Sequence, residues 1–259
     1  MSNLRGQIAV ITGGLGDIGA ATALELARRG ADVAVSDIRS PADAEKLLAS
    51  LRGLGVRAAY HKGDVRDADG VAAWLADVER TLGVTPSLVI VNAAIVTPLS
   101  LRKITPQQWA AEMRVNLDGA FYTAHAAALR LVAAKKPGRI VFLGSVAAHI
   151  PNVNIPAYCA AKAAIRQLCK VMALEFAGDG ILVNEVAPGN VDAGLSRKVW
   201  DQTPGSRERA ADEIPVRALI TPQEVARQVA YLCDPENRQM TGSTLLMDGG
   251  LSLTVLKKS

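Results

Sequence analysis

Apolar residues in this chain follow two patterns that alternate from one end to the other. Short continuous apolar runs, rich in valine and isoleucine, are separated by longer segments in which apolar residues recur every three or four positions. A continuous run predicts a strand buried on both faces, and the longer period predicts an amphipathic helix. The predicted strands lie at 8–12, 31–36, 56–60, 88–91, 139–143, 181–186 and 244–247. Helices are predicted in the gaps, among them 18–29, 71–82, 105–134 and 157–177.

Strands that alternate with helices predict an α/β fold in which helices cover both faces of a parallel sheet. Because crossovers between parallel strands are right-handed, we expect a Rossmann-type, doubly wound fold with a seven-stranded parallel sheet. We expect a single domain over residues 1–259, with an irregular insert at about 188–221 that is rich in glycine, proline and charge. Such a connection is typical of a functional lid or a short helical insert.

Composition limits the classes of function. The chain has 259 residues, of which 49% are hydrophobic, and this suits one large α/β domain. No apolar run approaches the roughly 18 residues of a membrane span. The basic residues behind the net charge of +4 are dispersed, whereas a nucleic-acid-binding surface gathers them into a stripe. Neither a membrane nor a nucleic-acid partner is therefore expected.

The cysteines indicate the cellular setting. Cys159, Cys169 and Cys233 have neither disulfide nor metal-site spacing, so we expect no metal. The first residues run into the first predicted strand without a signal-peptide pattern. An odd number of cysteines without an export signal indicates a reducing, cytoplasmic location.

A glycine-rich segment follows the first predicted strand and opens the first predicted helix. Its sequence from 12 to 19 is Thr-Gly-Gly-Leu-Gly-Asp-Ile-Gly. Glycines there permit a tight turn and a close approach of the backbone to a pyrophosphate, whose charge the helix N-terminus stabilises. We therefore expect a dinucleotide to be bound by Gly13, Leu15, Asp17, Ile18 and Gly19. An ordinary glycine-rich turn is the alternative.

Asp37, at the end of the second predicted strand, indicates which dinucleotide is bound. A carboxylate there, 18 residues beyond Gly19, is placed to accept hydrogen bonds from the adenosine ribose and would repel a 2′-phosphate. NAD is therefore favoured over NADP, although Arg39, two residues on, keeps NADP open. The other interpretation of Asp37 is a turn residue ahead of Pro41.

Tyr158 and Lys162 lie one helical turn apart in the predicted helix at 157–177, so their polar groups share one face. A cation within about 4–6 Å of a phenol favours the phenolate. Such a tyrosine can exchange a proton with an alcohol or a carbonyl group. The spacing is common in helices, and the pair becomes a candidate for catalysis because a dinucleotide site precedes it.

Further motifs, in order along the chain, make it similar to the short-chain dehydrogenase/reductase family. Beside the glycine turn and the Tyr-x3-Lys pair, these motifs are Asp64-Val65, Val91-Asn92-Ala93-Ala94, Asn116, Ser145, Pro188-Gly189 and Asp248-Gly249-Gly250. The resemblance covers nearly the whole chain, and Ser145 precedes Tyr158 by the thirteen residues typical of the family.

The resemblance implies one NAD(P)-binding short-chain dehydrogenase domain and a role for each motif. Tyr158 would be the general base in alcohol oxidation, and Lys162 would lower the pKa of Tyr158 and hold the nicotinamide ribose. Ser145 would hydrogen-bond the reacting oxygen. Asn116 would hold a water that links Lys162 to solvent. The residues in contact with NAD would also include Asp64, Val65, Asn92, Tyr158, Lys162 and Val191.

Three positions depart from the family pattern. Asp17 stands where the family has its second glycine; aspartate is a good N-cap, and this is the role we expect for it. Val91 and Ala94 replace an asparagine and a glycine in the fourth-strand motif. Ala193 replaces a threonine that often binds the nicotinamide carboxamide, which leaves backbone groups near Val191 for this contact.

The substrate is the least determined part. Polar side chains around Ser145 and Tyr158 suit a hydroxylated substrate, because such sites discriminate through hydrogen bonds. His149 is one candidate ligand, and Arg197 with Lys198 is a candidate for an anionic substituent. The alternatives are a rim residue for His149 and a solvated helix face for the two cations.

We therefore expect NAD-dependent hydride transfer from a sugar or polyol, at C1 of an aldose or at a secondary hydroxyl. Residues 190–200 are similar to sugar-dehydrogenase members of the family. The alternatives are an NAD(P)H-dependent reductase of 3-oxoacyl or other keto substrates and a non-catalytic dinucleotide-binding sensor. The resemblance also implies a homo-oligomer, commonly a homotetramer, with the helices at 105–134 and 157–177 at the interfaces.

Overall fold

A parallel sheet forms the centre of the computed structural model, which describes residues 3–200 and 204–254. Its strands are β1 Ile8–Thr12, β2 Asp32–Asp37, β3 Ala58–Lys62, β4 Leu88–Val91, β5 Gly138–Leu143, β6 Ile181–Pro188 and β7 Thr244–Met247. Their order is β3-β2-β1-β4-β5-β6-β7, and every neighbouring pair is parallel. The predicted Rossmann-type α/β fold with seven parallel strands is confirmed.

Helices cover both faces of this sheet. Those of the described residues are α1 Asp17–Arg28, α2 Pro41–Gly53, α3 Ala68–Leu82, α4 Pro106–Met113, α5 Gly119–Ala133, α6 Pro156–Phe176, α7 Gly194–Trp200, α8 Ser206–Asp212 and α9 Pro222–Leu232. A π-helical turn, Arg114–Asp118, joins α4 to α5. The helix predicted at 105–134 is therefore continuous but widened by this turn, and strand β3 begins two residues later than predicted.

The apolar runs of the sequence form two cores, one on each face of the sheet. Alternate residues of a strand point to opposite faces. Ile8 and Val10 of β1 accordingly pack with α3, α5 and α6 residues, whereas Ala9 and Ile11 pack with residues of α1 and α9. This burial on both faces explains why the strands have continuous apolar runs.

The strand order reverses between β1 and β4. In open α/β sheets such a switch point opens a crevice at the carboxyl ends of the strands, where ligands bind. The glycine turn after β1, Asn92 after β4 and Ser145 after β5 all follow strands at this edge. The topology therefore brings the sequence motifs together.

The predicted insert contains two short helices, α7 and α8, and a parallel bridge between Val191 and Ile220 pairs its two ends. The role of this segment as a substrate loop stays a prediction. Within the described residues, no helix is both long and apolar enough to cross a membrane.

Candidate active site

The glycine turn fits closely against the end of strand β4. Gly13 has φ of +62°, and a Cβ there would lie 2.9 Å from Cα of Ala93. A Cβ at Gly19 would overlap the carbonyl oxygen of Gly13. The Asn92 side chain donates to the carbonyl oxygens of Thr12, at 2.9 Å, and of Gly13, at 3.0 Å. The absence of side chains keeps the start of α1 open to a pyrophosphate.

Asp17 has a different role from the one expected. The N-cap of α1 is Gly16, and Asp17 is the first residue of the helix. Its Oδ2 accepts a hydrogen bond of 2.8 Å from the backbone N–H of Gly194. The N-cap prediction was wrong because the carboxylate binds the first residue of α7 in the insert. Asp17 thus joins the glycine turn to the insert.

Asp37 lies at the end of β2, beside the glycine turn. Its Oδ2 accepts from the backbone N–H of Leu15 at 3.2 Å. The same carboxylate is paired with the Arg39 guanidinium, at 3.2 Å. A carboxylate held in this place suits an adenosine ribose, and Arg39 would have to leave it to reach a 2′-phosphate.

The other residues expected to contact the dinucleotide lie around the same edge. Asp64 is paired with the Arg66 guanidinium, whose hydrogen bonds lower the pKa of the carboxyl group. Val65 is buried, with its side chain against Gly119. Val191 is buried at the start of the insert. Together with the glycine turn and Asp37, these residues are compatible with a bound nicotinamide dinucleotide.

Tyr158 and Lys162 meet on the face of α6 that points to the sheet edge. Lys162 Nζ lies 5.3 Å from the centroid of the Tyr158 ring and donates to the Leu143 carbonyl oxygen at 2.6 Å. The Lys162 side chain is buried. Burial lowers the pKa of Lys162 to about 8, although the carboxylates of Glu185 and Glu112 oppose this shift. Lys162 is therefore still mostly protonated at neutral pH.

The pKa of Tyr158 differs from the sequence expectation. Burial raises the pKa of Tyr158 to about 12, and a hydrogen bond with Ser145 opposes this shift. We expected Lys162 to lower the pKa of Tyr158. The pKa is raised instead, because the loss of hydration at the phenol is the largest effect. Ser145 also caps a short 3₁₀ turn, Val146–Ala148, by accepting from the N–H of Ala147 at 3.1 Å. Ser145 and Tyr158 are thus brought together.

Asn116 lies in the π-helical turn and is buried. Its Oδ1 accepts from the N–H of Ile95 at 2.9 Å, and its Nδ2 donates to the carbonyl oxygen of Ile95 at 2.8 Å. The side chain therefore fixes the loop after β4. Single π turns inside helices are frequent at functional sites.

An ion pair behind Ser145 was missed by sequence reasoning. Arg166 donates to Glu185 Oε2 at 2.8 Å and to the carbonyl oxygens of Ala148, at 3.2 Å, and Ser145, at 3.3 Å. Thr244 donates to the same Glu185 oxygen at 2.6 Å. Two signals were available: Arg166 lies one turn after Lys162, and Glu185 interrupts an apolar strand.

Glu112 was missed as well. This carboxyl group lies one turn before Asn116, is 0% exposed, and accepts from the N–H of Thr97 at 2.9 Å. Burial raises the pKa of Glu112, and hydrogen bonds with Thr97 and the charge of Lys162 oppose the shift. The signal in the sequence was a glutamate that shares a helix face with the apolar residues Trp109 and Met113.

The candidate substrate ligands lie further out. His149 lies just after the 3₁₀ turn and is largely exposed. The partial loss of hydration at its ring, together with the nearby Arg166 guanidinium, lowers the pKa of His149. Arg197 binds Asp192 through its side chain, at 3.2 Å, and through the Asp192 carbonyl oxygen, at 2.7 Å. The Lys198 side chain lies outside the described part of the structure. No cluster of potential metal ligands occurs in residues 3–200 and 204–254.

Comparisons with known proteins agree with this architecture. A family model described as enoyl-(acyl carrier protein) reductase matches residues 14–252. The chain is 32% identical over 252 residues to the 3-oxoacyl-[acyl-carrier-protein] reductase FabG of Pseudomonas aeruginosa, covering 97% of this chain and 100% of the relative. It is 35% identical over 250 residues to cis-4-hydroxycyclohexanecarboxylate dehydrogenase of Sinomonas cyclohexanicum, covering 94% and 96%.

Two solved structures extend the comparison. A short-chain type dehydrogenase/reductase from Mycobacterium marinum has a TM-score of 0.92 and 31% identity, covering 97% of this chain and 98% of that one. A putative 2-deoxy-D-gluconate 3-dehydrogenase from Agrobacterium tumefaciens with bound NADP has a TM-score of 0.88 and 25% identity, with the same coverage.

The fold and these similarities define an oxidoreductase with a nicotinamide cofactor and a small-molecule substrate. The chain belongs to the short-chain dehydrogenase/reductase family and acts on CH–OH donors or the corresponding carbonyl compounds.

Proposed function

We propose that this protein is an NAD-dependent dehydrogenase that oxidises a hydroxyl group of a sugar or polyol, or of a similar hydroxylated ring. The observation that carries the dehydrogenase function is the juxtaposition of Tyr158, Ser145 and Lys162 beside the open glycine turn. A tyrosine hydroxyl, a serine hydroxyl and a buried ammonium can hold an alcohol oxygen and take its proton.

Each residue of the candidate site would have a separate role in the reaction. Gly13, Leu15, Ile18 and Gly19, with Asp37, would hold NAD, which supplies the hydride acceptor when bound. Ser145 would bind the alcohol oxygen. Tyr158 would remove the hydroxyl proton, with Lys162 as the neighbouring cation. Asn116 would fix the loop that closes this side of the site.

Tyr158 must lose its proton before it can act as a base. With a pKa of about 12, the phenolate fraction at pH 7 is on the order of 10⁻⁵. Another positive charge beside the phenol would increase this fraction, because a cation favours the phenolate. Oxidation is therefore expected to be faster at alkaline pH, and the midpoint of the pH profile is expected below 12 when oxidised cofactor is present.

The preference for NAD rests on Asp37. Its carboxylate is held by Leu15 and paired with Arg39, and a 2′-phosphate would meet this negative charge directly. NADP is the alternative cofactor, because the similar structure from Agrobacterium tumefaciens has NADP bound.

The proposal of a hydroxylated ring rests on polar surroundings and on the relatives. His149 follows the short 3₁₀ turn that Ser145 caps, and two similar proteins carry names of dehydrogenases of a ring alcohol and of a sugar acid. In this proposal His149 contacts the substrate. Arg197 would contact an anionic substituent only after it leaves Asp192.

The test is a substrate panel of aldoses, uronic acids, polyols and hydroxycyclohexane carboxylates, each with NAD and NADP, followed by NADH or NADPH absorbance. We expect turnover with NAD that falls by at least about 10²-fold in Tyr158→Phe. Tyr231→Phe, an exposed tyrosine on α9, is the matched control. Full activity of Tyr158→Phe would contradict the catalytic assignment, and turnover of no sugar or polyol would contradict that substrate class.

Reduction of 3-oxoacyl thioesters is the second candidate, because the Pseudomonas aeruginosa reductase matches the chain over its full length. A preference for NADPH together with turnover of a 3-oxoacyl thioester would favour it. NADH binding without turnover of any alcohol or ketone would favour a sensor.

We also propose a homotetramer built on the long helices. Phe121 and Leu129 of α5 and Leu174 of α6 are exposed apolar side chains, and Leu174 is 86% exposed. Light scattering after gel filtration tests this state; a monomer at micromolar concentration would contradict it.

A further inference from the structure

Glu112 carries a buried carboxyl group to which the proposed dehydrogenase function assigns no role. It is 0% exposed, and only one of its oxygens has a partner. Oε2 accepts from the backbone of Thr97, whereas Oε1 has no hydrogen-bond partner among the described residues. A buried carboxyl oxygen without a hydrogen bond raises the free energy of the folded state. Glu112 is therefore a candidate for a functional residue.

The position of Glu112 links it to the proton-transfer residues. It lies one helical turn before Asn116, and both side chains bind the loop after β4, at Thr97 and Ile95. Helix α4 packs against α6, which carries Tyr158 and Lys162. Glu112 is close enough to interact electrostatically with both of them.

The other carboxylate that acts on Lys162 is Glu185, and both of its oxygens already accept hydrogen bonds from Arg166. Lys162 and Tyr158, both from α6, are the titratable groups of the described chain that act on Glu112. The loop contributes Ile95 and Thr97, which offer backbone groups. Lys162 uses one of its N–H groups on the Leu143 carbonyl, so two remain for other partners.

We propose that Glu112 is the proton acceptor at the inner end of a relay that runs from Tyr158 through Lys162. The proposal rests on the dehydrogenase function proposed above. Glu112 acts through Lys162 and is therefore a positioning and relay residue without contact to the substrate.

The relay conserves atoms and charge. During oxidation, for which bound NAD would supply the hydride acceptor, the O–H proton of the alcohol would move to the ionised Tyr158 oxygen as the carbonyl bond forms. The proton on Tyr158 is passed to Lys162 as Lys162 releases one of its own through a water molecule to Glu112 Oε1. One N–H bond breaks and one O–H bond forms there. Glu112 then returns the proton to solvent, so the relay from Tyr158 to Glu112 moves protons only.

The two groups are matched for this exchange. Burial raises the pKa of Glu112 and lowers the pKa of Lys162 to about 8. The two values therefore approach each other, which reduces the free-energy cost of moving a proton between them. A carboxylate in water, with its ordinary pKa, would be a poorer acceptor at this step.

The first experiment reads the carboxyl group directly, without turnover. The infrared carbonyl band of protonated Glu112 is isolated as the difference between wild type and Glu112→Gln during a pH titration. We expect a midpoint above the ordinary carboxyl range, and a further rise in Lys162→Met, because the neighbouring cation is lost. Equal midpoints in wild type and Lys162→Met would overturn the proposal.

The second experiment measures kinetics with NAD and an alcohol that the substrate panel shows to be oxidised. Glu112→Gln keeps the size of the side chain and an oxygen for Thr97. We expect its plateau kcat to fall about tenfold or more, with KM unchanged, and to recover as formate is added as a small external base. Glu79→Gln, a carboxyl group bound to Thr85 and Arg130 outside the site, is the matched control.

The outcomes separate the possibilities. A pH profile that only moves to lower pH at unchanged plateau would make Glu112 an electrostatic neighbour and overturn the relay. A lower melting temperature with unchanged kcat and no formate effect would make it structural, with the same consequence. If Glu112→Gln does not fold, Glu112→Met is used, since a buried apolar side chain needs no partner. Absence of turnover in wild type would contradict the dehydrogenase function, while the infrared midpoints would still decide on the coupling of Glu112 to Lys162.

Discussion

The ion pair between Arg166 and Glu185 gives the sharpest prediction for stability. Glu185 is 0% exposed and Arg166 is 14% exposed, so the pair lies almost entirely out of water. Replacing Arg166 by methionine leaves a buried carboxylate whose remaining partner is the Thr244 hydroxyl. Breaking a buried pair in this way typically costs about 3–5 kcal/mol. The variant also leaves the carbonyl oxygens of Ser145 and Ala148 without their guanidinium donor.

We therefore expect Arg166→Met to lower the free energy of unfolding by about 3–5 kcal/mol, measured by urea denaturation at neutral pH. The matched control is Arg57→Met. Arg57 also pairs with a carboxylate, Asp32, and donates to a carbonyl oxygen, of Leu82, but it is 55% exposed. An exposed pair contributes about 0–1 kcal/mol.

The double variant separates the lost pair from the stranded charge. Removing both charges, as in Arg166→Met with Glu185→Leu, is expected to recover at least about 1 kcal/mol relative to Arg166→Met alone, because no charge then stays unpaired. If Arg166→Met costs no more than Arg57→Met, the pair is not buried as described and the reasoning is refuted. We also expect kcat to fall more than KM changes, since Arg166 holds the backbone of Ser145.

Three other predictions concern single residues. Gly144→Ala would place a Cβ on a Glu185 oxygen, so we expect the free energy of unfolding to fall by about 1–3 kcal/mol. Gly178→Ala is the control and should be nearly neutral, because a Cβ there has no neighbouring atom within 4 Å. Equal losses for the two variants in urea denaturation would contradict this prediction. Asp17→Gly removes a carboxylate from the start of α1, and we expect tighter NADH binding in a fluorescence titration, with unchanged affinity as the contrary result. Lys162 binds fewer protons in the folded than in the unfolded state between pH about 8 and its ordinary value near 10.5, so the stability of the wild type relative to Lys162→Met should rise with pH across this window, by up to about 3 kcal/mol. Lys162→Met should lack that rise, and parallel pH dependences of the two proteins would contradict the buried ammonium.

Much of the fold followed from local patterns. Continuous apolar runs predicted all seven strands of the sheet because both of its faces are covered by helices. Asp37 was correctly placed at the end of β2. The glycine turn was predicted between β1 and α1, and the structure has it there. These features depend on residues close in sequence, which is why their order along the chain was sufficient.

Other features depend on residues that are distant in sequence. Asp17 was expected to cap its own helix, but it binds the N–H of Gly194, which only the folding of the insert brings within 2.8 Å. The boundaries of β3 and the π turn around Asn116 likewise follow from packing, since the same sequence is compatible with a regular helix at 105–134.

The candidate site shows the same division. The spacing of Tyr158 and Lys162 was enough to predict that they share a helix face, because one turn separates them. Their pKa values depend on the folded structure, since burial raises the pKa of Tyr158 to about 12 and lowers that of Lys162 to about 8. Burial also distinguishes Glu112 and Glu185 from the other carboxylates. Their partners, Thr97 and Arg166, are distant in sequence and could not be predicted from the neighbouring residues. Hydration is lost through contacts between distant elements, and for this reason the chemistry of these side chains is decided by the fold.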